Sequence, residues 1–165
     1  MKPTLIALAL GAAALPALAD TTDVVALWGE HSGSVAPEYA WSYTVSFQLD
    51  GLVRAEYCKG YADEAPGCAT STKQLSDAEI DALDAAVLAL AEDMKAHPPK
   101  PVSPEEMAIG GGSTFGWIWL GDEKFDLPGQ PRKTDAARVA AMLRVLQEHT
   151  PPRLVQKAET KAKAP

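Results

Sequence analysis

The chain has 165 residues, of which 15 are Lys or Arg and 22 are Asp or Glu, so its formal net charge is −7 at pH 7. This acidic balance argues against binding of nucleic acid or anionic lipid, because both recruit clusters of basic side chains. The length suits one domain with a buried core.

The N-terminus has the pattern of a cleavable secretory signal. A short positive start at residues 1–2 precedes an apolar stretch at residues 4–16, and Ala17-Leu18-Ala19 is a small-x-small cleavage site. The alternative is a retained anchor, but the stretch is shorter than the roughly 18 apolar residues that span a bilayer. We therefore expect residues 1–19 to be removed after Ala19. The mature protein would be periplasmic or secreted, without a membrane anchor.

The chain has two cysteines, Cys58 and Cys68. Because exported proteins meet an oxidising compartment, an even number of cysteines predicts a disulfide between them. Closing a loop of about ten residues should stabilise the fold by about 2–3 kcal/mol. A zinc site is less consistent with the sequence, since the cysteine spacing is unusual for zinc and no histidine lies nearby.

The first half of the chain predicts three strands. Residues 39–47 alternate between large apolar side chains and small ones, which is typical of a strand with one buried face. Residues 24–28 and 52–61 predict the strands before and after it, with a turn at residues 31–34. A two-residue turn after the second strand would mix polar and apolar faces, whereas a three-residue loop at residues 49–51, with Gly51 left-handed, keeps them apart. That loop predicts these opposing pairs: Phe47 with Val53, Val45 with Ala55, and Tyr43 with Tyr57.

A helix is predicted next. Ser76 and Glu79 have the spacing of a capping box, and Leu75 with Ile80 has that of a hydrophobic staple. The apolar residues that follow recur at helical spacing, and Pro98-Pro99 ends the pattern. Residues 98–108 predict a stiff, exposed Pro-rich linker. The predicted apolar stripe of this helix consists of Ile80, Leu83, Val87, Leu90 and Met94.

A second hairpin is predicted at residues 114–120 and 123–127, and its turn leaves two registers open. A two-residue turn at Gly121-Asp122 is favoured by glycine in its first position, and it places the aromatic side chains on the polar face. A three-residue loop would instead put Trp119 opposite Phe125 in the core, where aromatic stripes are more often found. If the stripe is exposed, it forms an apolar patch with a charged rim, which is typical of a contact surface. The candidate partner-binding residues are Phe115, Trp117, Trp119, Lys124 and Asp126.

The last predicted helix spans residues 135–149, and its expected buried residues are Val139, Met142, Leu143 and Leu146. The Lys- and Ala-rich tail at residues 153–165 has little to bury and is predicted to be disordered. One domain at residues 20–152 is therefore expected, of the α+β class. It would have an antiparallel sheet of about five strands in the order β-β-β-α-β-β-α, two helices mainly on one face, and one disulfide.

Residues that could carry chemistry have simpler structural explanations. His97 and His149 fall in the last turns of predicted helices, where imidazoles interact favourably with the helix dipole. His31 has Ser32 and Ser34 nearby, but the sequence around them is not that of an activated serine. The run Gly110-Gly111-Gly112-Ser113 lacks the context of a phosphate loop and predicts a flexible lead-in to the hairpin. Asp77, Asp81 and Asp84 predict a solvated helix face. No catalytic, cofactor-binding or metal-binding residue is assigned.

These observations favour a non-catalytic exported binding protein with a protein partner. The element order, the early Ser32-Gly33 turn and the closing helix resemble the emfourin-type inhibitors of thermolysin-like bacterial metalloproteases. The resemblance implies an envelope or secreted protease as the partner. This chain departs from that pattern by its disulfide, longer linker and charged tail, so no inhibitory residue is carried over. The alternatives are a small periplasmic hydrolase or metal-dependent enzyme that uses His31, and an accessory subunit of an envelope complex.

Overall fold

A computed structural model of the protein describes residues 24–64, 66–108 and 110–164. The predicted signal at residues 1–19 lies outside the described residues. In the described part, six strands form one sheet with the order β4-β3-β2-β1-β5-β6, and each neighbouring pair is antiparallel. The elements are β1 (Val24–His31), β2 (Trp41–Gln48), β3 (Leu52–Lys59), β4 (Cys68–Gln74), α1 (Asp77–Ala96), β5 (Ser113–Leu120), β6 (Glu123–Leu127), α2 (Ala136–Glu148) and α3 (Leu154–Lys163).

The predicted α+β class is confirmed, with one more strand and one more helix than expected. The buried stripes of all three helices join one hydrophobic cluster with one side of the sheet, which we call the covered face. Among the described residues, no side chain from the other side of strands β2–β6 belongs to that cluster, and we call this side the open face. Side chains of the covered face include Ala26, Trp28, Val45, Phe47, Val53, Ala55, Ile118 and Leu127.

The first hairpin has the predicted register. Phe47 lies opposite Val53, Val45 opposite Ala55, and Tyr43 opposite Tyr57. Gly51 has φ +80°, and its N–H donates to the Gln48 carbonyl at 2.9 Å. A left-handed residue closes the three-residue loop, so glycine is favoured there.

Strand β4 was not predicted. It forms an edge of the sheet and pairs with β3 so that Cys68 lies directly opposite Cys58. These two residues form the predicted disulfide, with an S–S distance of 2.03 Å. The sequence of β4 is polar because an edge strand has an exposed side, and charged or polar side chains there discourage pairing with other chains.

The capping box at the start of α1 is confirmed. Oε2 of Glu79 accepts hydrogen bonds from the backbone N–H and the hydroxyl of Ser76, both at 2.8 Å. Both bonds lower the pKa of Glu79 below its ordinary value, and the bond from the backbone N–H has the larger effect. Of the predicted stripe, Leu83, Val87 and Met94 are buried.

The prediction of disorder at residues 153–165 is wrong for most of that segment, because Leu154–Lys163 forms α3 against β3 and β4. Leu154, Ala158 and Ala162 recur every four residues and are buried. Alanine makes this possible, since a small side chain lets the helix backbone approach the strands closely. The lysines fit the same packing: Lys161 Nζ donates to the Thr70 carbonyl at 2.9 Å, and Lys163 Nζ lies 5.6 Å from the centre of the Tyr57 ring.

Candidate functional site

The structure of the second hairpin shows which of the two registers left open by the sequence is present. Trp117 lies opposite Asp126, Trp119 opposite Lys124, and Leu120 opposite Glu123. Gly121 has φ +61°, and Asp122 does not have a positive φ, as expected for the two-residue turn with glycine in its first position. The three-residue loop is therefore wrong, and the aromatic side chains lie on the open face.

The aromatic side chains lie next to small and apolar residues of β1. Leu27 pairs with Trp117, and Gly29 pairs with Phe115. A Cβ atom added to Gly29 would lie 3.0 Å from Cζ of Phe115 and 2.5 Å from the Tyr43 carbonyl oxygen, so glycine leaves room for the phenyl ring to lie across the strand. Phe115 and Trp117 are half-buried, and Trp119 is 38% exposed.

A charged pair borders Trp117. Lys124 Nζ lies 5.6 Å from the centre of a Trp117 ring and 2.7 Å from Oδ1 of Asp126. An ammonium group near an indole is attracted by the electron density of the ring, and the carboxylate fixes its position. We call the six open-face residues of this region the aromatic surface: Leu27, Phe115, Trp117, Trp119, Lys124 and Asp126.

The rest of the open face has a different character. On β2, β3 and β4 it presents mainly hydroxyl-bearing and amide side chains, together with Leu52, the disulfide and an ion pair in which Arg54 Nη2 lies 2.7 Å from Oε2 of Glu56. Thr72, on the edge strand, is exposed. Large apolar side chains are therefore concentrated on the part of the open face formed by β1, β5 and β6.

His31 contacts a serine that the sequence did not link to it. Its Nε2 lies 2.8 Å from Oγ of Ser113, 82 residues away, and its Nδ1 accepts the backbone N–H of Gly33 at 3.0 Å. Because Nδ1 is an acceptor, the proton of the neutral ring lies on Nε2 and is donated to Ser113. In this tautomer Nε2 has no free lone pair to accept the hydroxyl proton of Ser113, and the hydrogen bond joins the end of β1 to the start of β5. A Cβ atom on Gly129 would lie 2.7 Å from the same Oγ, so backbone also crowds the hydroxyl.

The Gly-rich segment packs tightly where a flexible lead-in was predicted. Gly33 has φ +81°, and a Cβ atom on it would lie 2.4 Å from the Gly111 carbonyl oxygen. A Cβ atom on Gly112 would lie 2.7 Å from the His31 carbonyl oxygen. Two loops far apart in sequence therefore come into close contact, and this contact requires glycine at positions 33 and 112, whereas a Cβ atom on Gly110 or Gly111 would meet no atom within 4 Å.

The other residues considered in the sequence analysis do not come together at one site. His97 and His149 are the C-cap residues of α1 and α2, as predicted, and the helix-face aspartates Asp77, Asp81 and Asp84 are exposed. Within the described ranges, no three His, Cys, Asp or Glu side chains come together in a way that could hold a metal ion. None of the helices in the described part is long and apolar enough to cross a membrane.

A groove lies at the end of the sheet where β1 and β3 finish and β2 and β5 begin. It encloses about 770 Å³ and is lined by residues that include His31, Ser34, Tyr61, Glu105, Met107 and Gly111. We call it the end groove. Sequence reasoning missed it, because its walls come from separate loops and no local motif signals their meeting.

The comparisons with known proteins do not assign a family. No model of a known protein family matches the chain, and no curated protein has significant sequence similarity to it.

Proposed function

We propose that this chain is a non-catalytic exported protein that recognises another protein through the aromatic surface. The observation that carries this proposal is the register of the second hairpin, which puts Trp117 and Trp119 on the open face beside Lys124 and Asp126. Exposing indole rings to water is unfavourable, and nothing in the covered core requires them at these positions. An apolar patch with a charged rim is typical of a protein interface.

A protein is the partner that best fits the shape of this site. The aromatic surface belongs to an extended sheet face, whereas small molecules generally bind in concave pockets. Tryptophan and tyrosine are also enriched among the residues that dominate protein interfaces. The charged pair of Lys124 and Asp126 would supply orientation more than affinity.

Export is part of the same proposal. The disulfide between Cys58 and Cys68 is formed, and such bonds persist in oxidising compartments. The signal pattern at residues 1–19 supports a periplasmic or secreted location. Fractionation of a bacterial expression host, with mass spectrometry of the exported protein, should give an N-terminus at Asp20. Recovery of the uncleaved chain from the cytoplasm would contradict this.

The hydrolase alternative has less support. The tautomer of His31 and the crowding of Ser113 argue against an activated serine. If the protein shows a measurable hydrolase activity, His31→Ala should leave it unchanged, and loss of that activity in the variant would support the alternative.

The sharper form of the proposal is an inhibitor of a thermolysin-like metalloprotease, and the alternative is an accessory subunit of an envelope complex. The mature protein at micromolar concentration should inhibit a thermolysin-like protease in the first case. Without inhibition, a stable partner that copurifies from envelope extract would favour the second.

Quantitative pull-down from envelope extract tests the aromatic surface itself. Wild type should retain a defined partner that Trp117→Ala/Trp119→Ala loses by at least tenfold. The control is Arg54→Ala/Glu56→Ala, which changes the polar part of the same open face and should keep the partner. Equal recovery by all three proteins would contradict the proposal.

A further inference from the structure

The end groove has a chemistry different from that of the aromatic surface. Its volume of about 770 Å³ lies within the range of specific ligand sites, roughly 300–1,000 Å³. It opens between the loops at one end of the sheet and includes backbone of Gly110 and Gly111. A partner segment could therefore meet both side chains and peptide groups there.

Two exposed apolar side chains line the groove. Tyr61 is 62% exposed and Met107 is 50% exposed. The hydroxyl of Tyr61 donates to the Val35 carbonyl and accepts the Val35 N–H, the latter at 3.0 Å. These bonds fix the phenol end, so the ring is held in place before any ligand arrives. Such preorganisation lowers the entropic cost of binding.

Three of the loops that form the groove are acidic, whereas the loop that contributes Gln130 carries Arg132 and Lys133. Residues 31–42, 60–67 and 103–112 contain no Lys or Arg, and their side chains charged at neutral pH are all carboxylates. Hydrogen bonds from its own backbone N–H and from Ser103 lower the pKa of Glu105, which lines the groove. The nearest basic residue in sequence, Lys59, lies at the end of β3 opposite Trp41. The carboxylates of these loops are Glu38, Asp63, Glu64, Glu105 and Glu106.

We propose that the end groove binds a basic, extended segment of a partner protein and receives an arginine or lysine side chain beside Tyr61 and Glu105. Carboxylates attract the cation over a distance of about a Debye length, and an aromatic ring face stabilises it at contact. Among the described residues that line the groove there is no Lys or Arg, and Glu105 is the one carboxylate. This site is separate from the aromatic surface and does not depend on the function proposed for it.

Two matched peptides test the charge requirement. The probe is Ac-Gly-Arg-Gly-Arg-Gly-NH₂, and the control replaces both arginines by citrulline, which has a similar shape without the charge. Titration of ¹⁵N-labelled mature protein should shift the backbone signals of Gly33, Tyr61, Gly110 and Gly111 with the arginine peptide only. The shifts should weaken as salt is raised from 50 to 300 mM. Equal shifts with citrulline, or shifts spread over the whole surface, would overturn the proposal.

Charge variants separate a local site from the overall negative charge. Glu105→Gln/Glu106→Gln should weaken binding of the arginine peptide about three- to tenfold, since each exposed carboxylate contributes modestly. Asp81→Asn/Asp84→Asn removes the same charge from the exposed side of α1 and should leave Kd unchanged. The proposal fails if the two variants weaken binding equally. Trp117→Ala should also bind the peptide normally, so failure here is distinguishable from failure at the aromatic surface.

Discussion

The two faces of the sheet are formed by the same strands but differ in burial and in side-chain composition. On the covered face, side chains such as Val45, Phe47 and Ile118 are fully buried under the helices. The residues next to them in sequence lie on the open face, and they differ widely in size and polarity, from the small polar Ser46 to the large aromatic Trp117. Burial explains the first set completely, because each apolar side chain removed from water stabilises the fold. The open face carries large apolar residues that lie outside the buried cluster, among them Phe115, Trp117 and Trp119.

The open face also differs within itself. Its polar part, on β2 to β4, has the composition expected for a sheet that faces water. Its aromatic part, on β1, β5 and β6, departs from that expectation. A local departure from an otherwise consistent pattern is where function is usually found.

The largest loss of stability is expected from a substitution on the covered face. Phe47→Ala should lower the free energy of unfolding by about 3–5 kcal/mol, because it leaves a cavity where the ring was fully buried. Ser46→Ala, one residue away on the open face, should change it by less than about 0.5 kcal/mol. Urea denaturation followed by circular dichroism measures both. Similar losses at the two positions would contradict the division into faces.

The second effect tests whether α3 belongs to the covered face. Leu154 is 3% exposed, so Leu154→Ala should destabilise the protein by about 2–4 kcal/mol. Lys157→Ala, on the exposed side of the same helix, is the control and should have little effect. A loss below about 0.5 kcal/mol for Leu154→Ala would mean that the helix is not part of the folded core.

The third effect concerns the disulfide that joins β3 and β4. Cys58→Ala/Cys68→Ala should cost about 2–3 kcal/mol, because the disulfide closes a loop with a sequence separation of 10. Dithiothreitol should lower the stability of wild type toward that of the variant and leave the variant unchanged. Equal sensitivity of both proteins to the reductant would contradict this assignment.

The fourth effect contrasts neighbours on β5. Trp117→Ala should cost about 1–2 kcal/mol, because it removes a half-buried ring together with a cross-strand pair and a cation–π contact. Ile118→Ala, which removes a fully buried side chain, should cost about 2–5 kcal/mol. Unfolding midpoints of the two variants give the comparison. If Trp117→Ala proved the more destabilising variant, Trp117 would serve mainly the stability of the fold, and the case for a contact surface would weaken.

Local rules predicted the register of the first hairpin, because alternation and turn chemistry act over a few residues. At the second hairpin, turn chemistry favoured the observed register and burial favoured the other, so the sequence left both open. Gly51 and Gly121 set the two registers, and through the second register they placed Trp117 on the open face. Strand β4 and helix α3 escaped prediction because their stability comes from neighbours: β4 is polar along its own sequence, and the alanines of α3 become apolar contacts only against β3 and β4.

The rest of the candidate sites depends on long-range contacts. The hydrogen bond between His31 and Ser113 joins residues on two strands that the sequence gives no reason to pair. The packing of Gly33 on Gly111 and the walls of the end groove arise in the same way. Composition and periodicity report which face a residue occupies, and they carry no information about which loops meet.

The smallest effect concerns the start of α1, which helps to cover the sheet. The backbone N–H and hydroxyl of Ser76 lower the pKa of Glu79 in the folded protein, so its contribution to stability is present above the unfolded pKa of about 4.3 and is lost as pH falls through the folded value. Glu79→Gln should therefore be less stable than wild type at pH 7, and the difference should shrink below about pH 4. Urea unfolding at pH 7, 5 and 3.5 measures it, with Glu92→Gln on the exposed side of α1 as the control. A difference that stayed constant across this range would show that the carboxylate charge plays no part in capping, and that α1 is held to the sheet by its buried stripe alone.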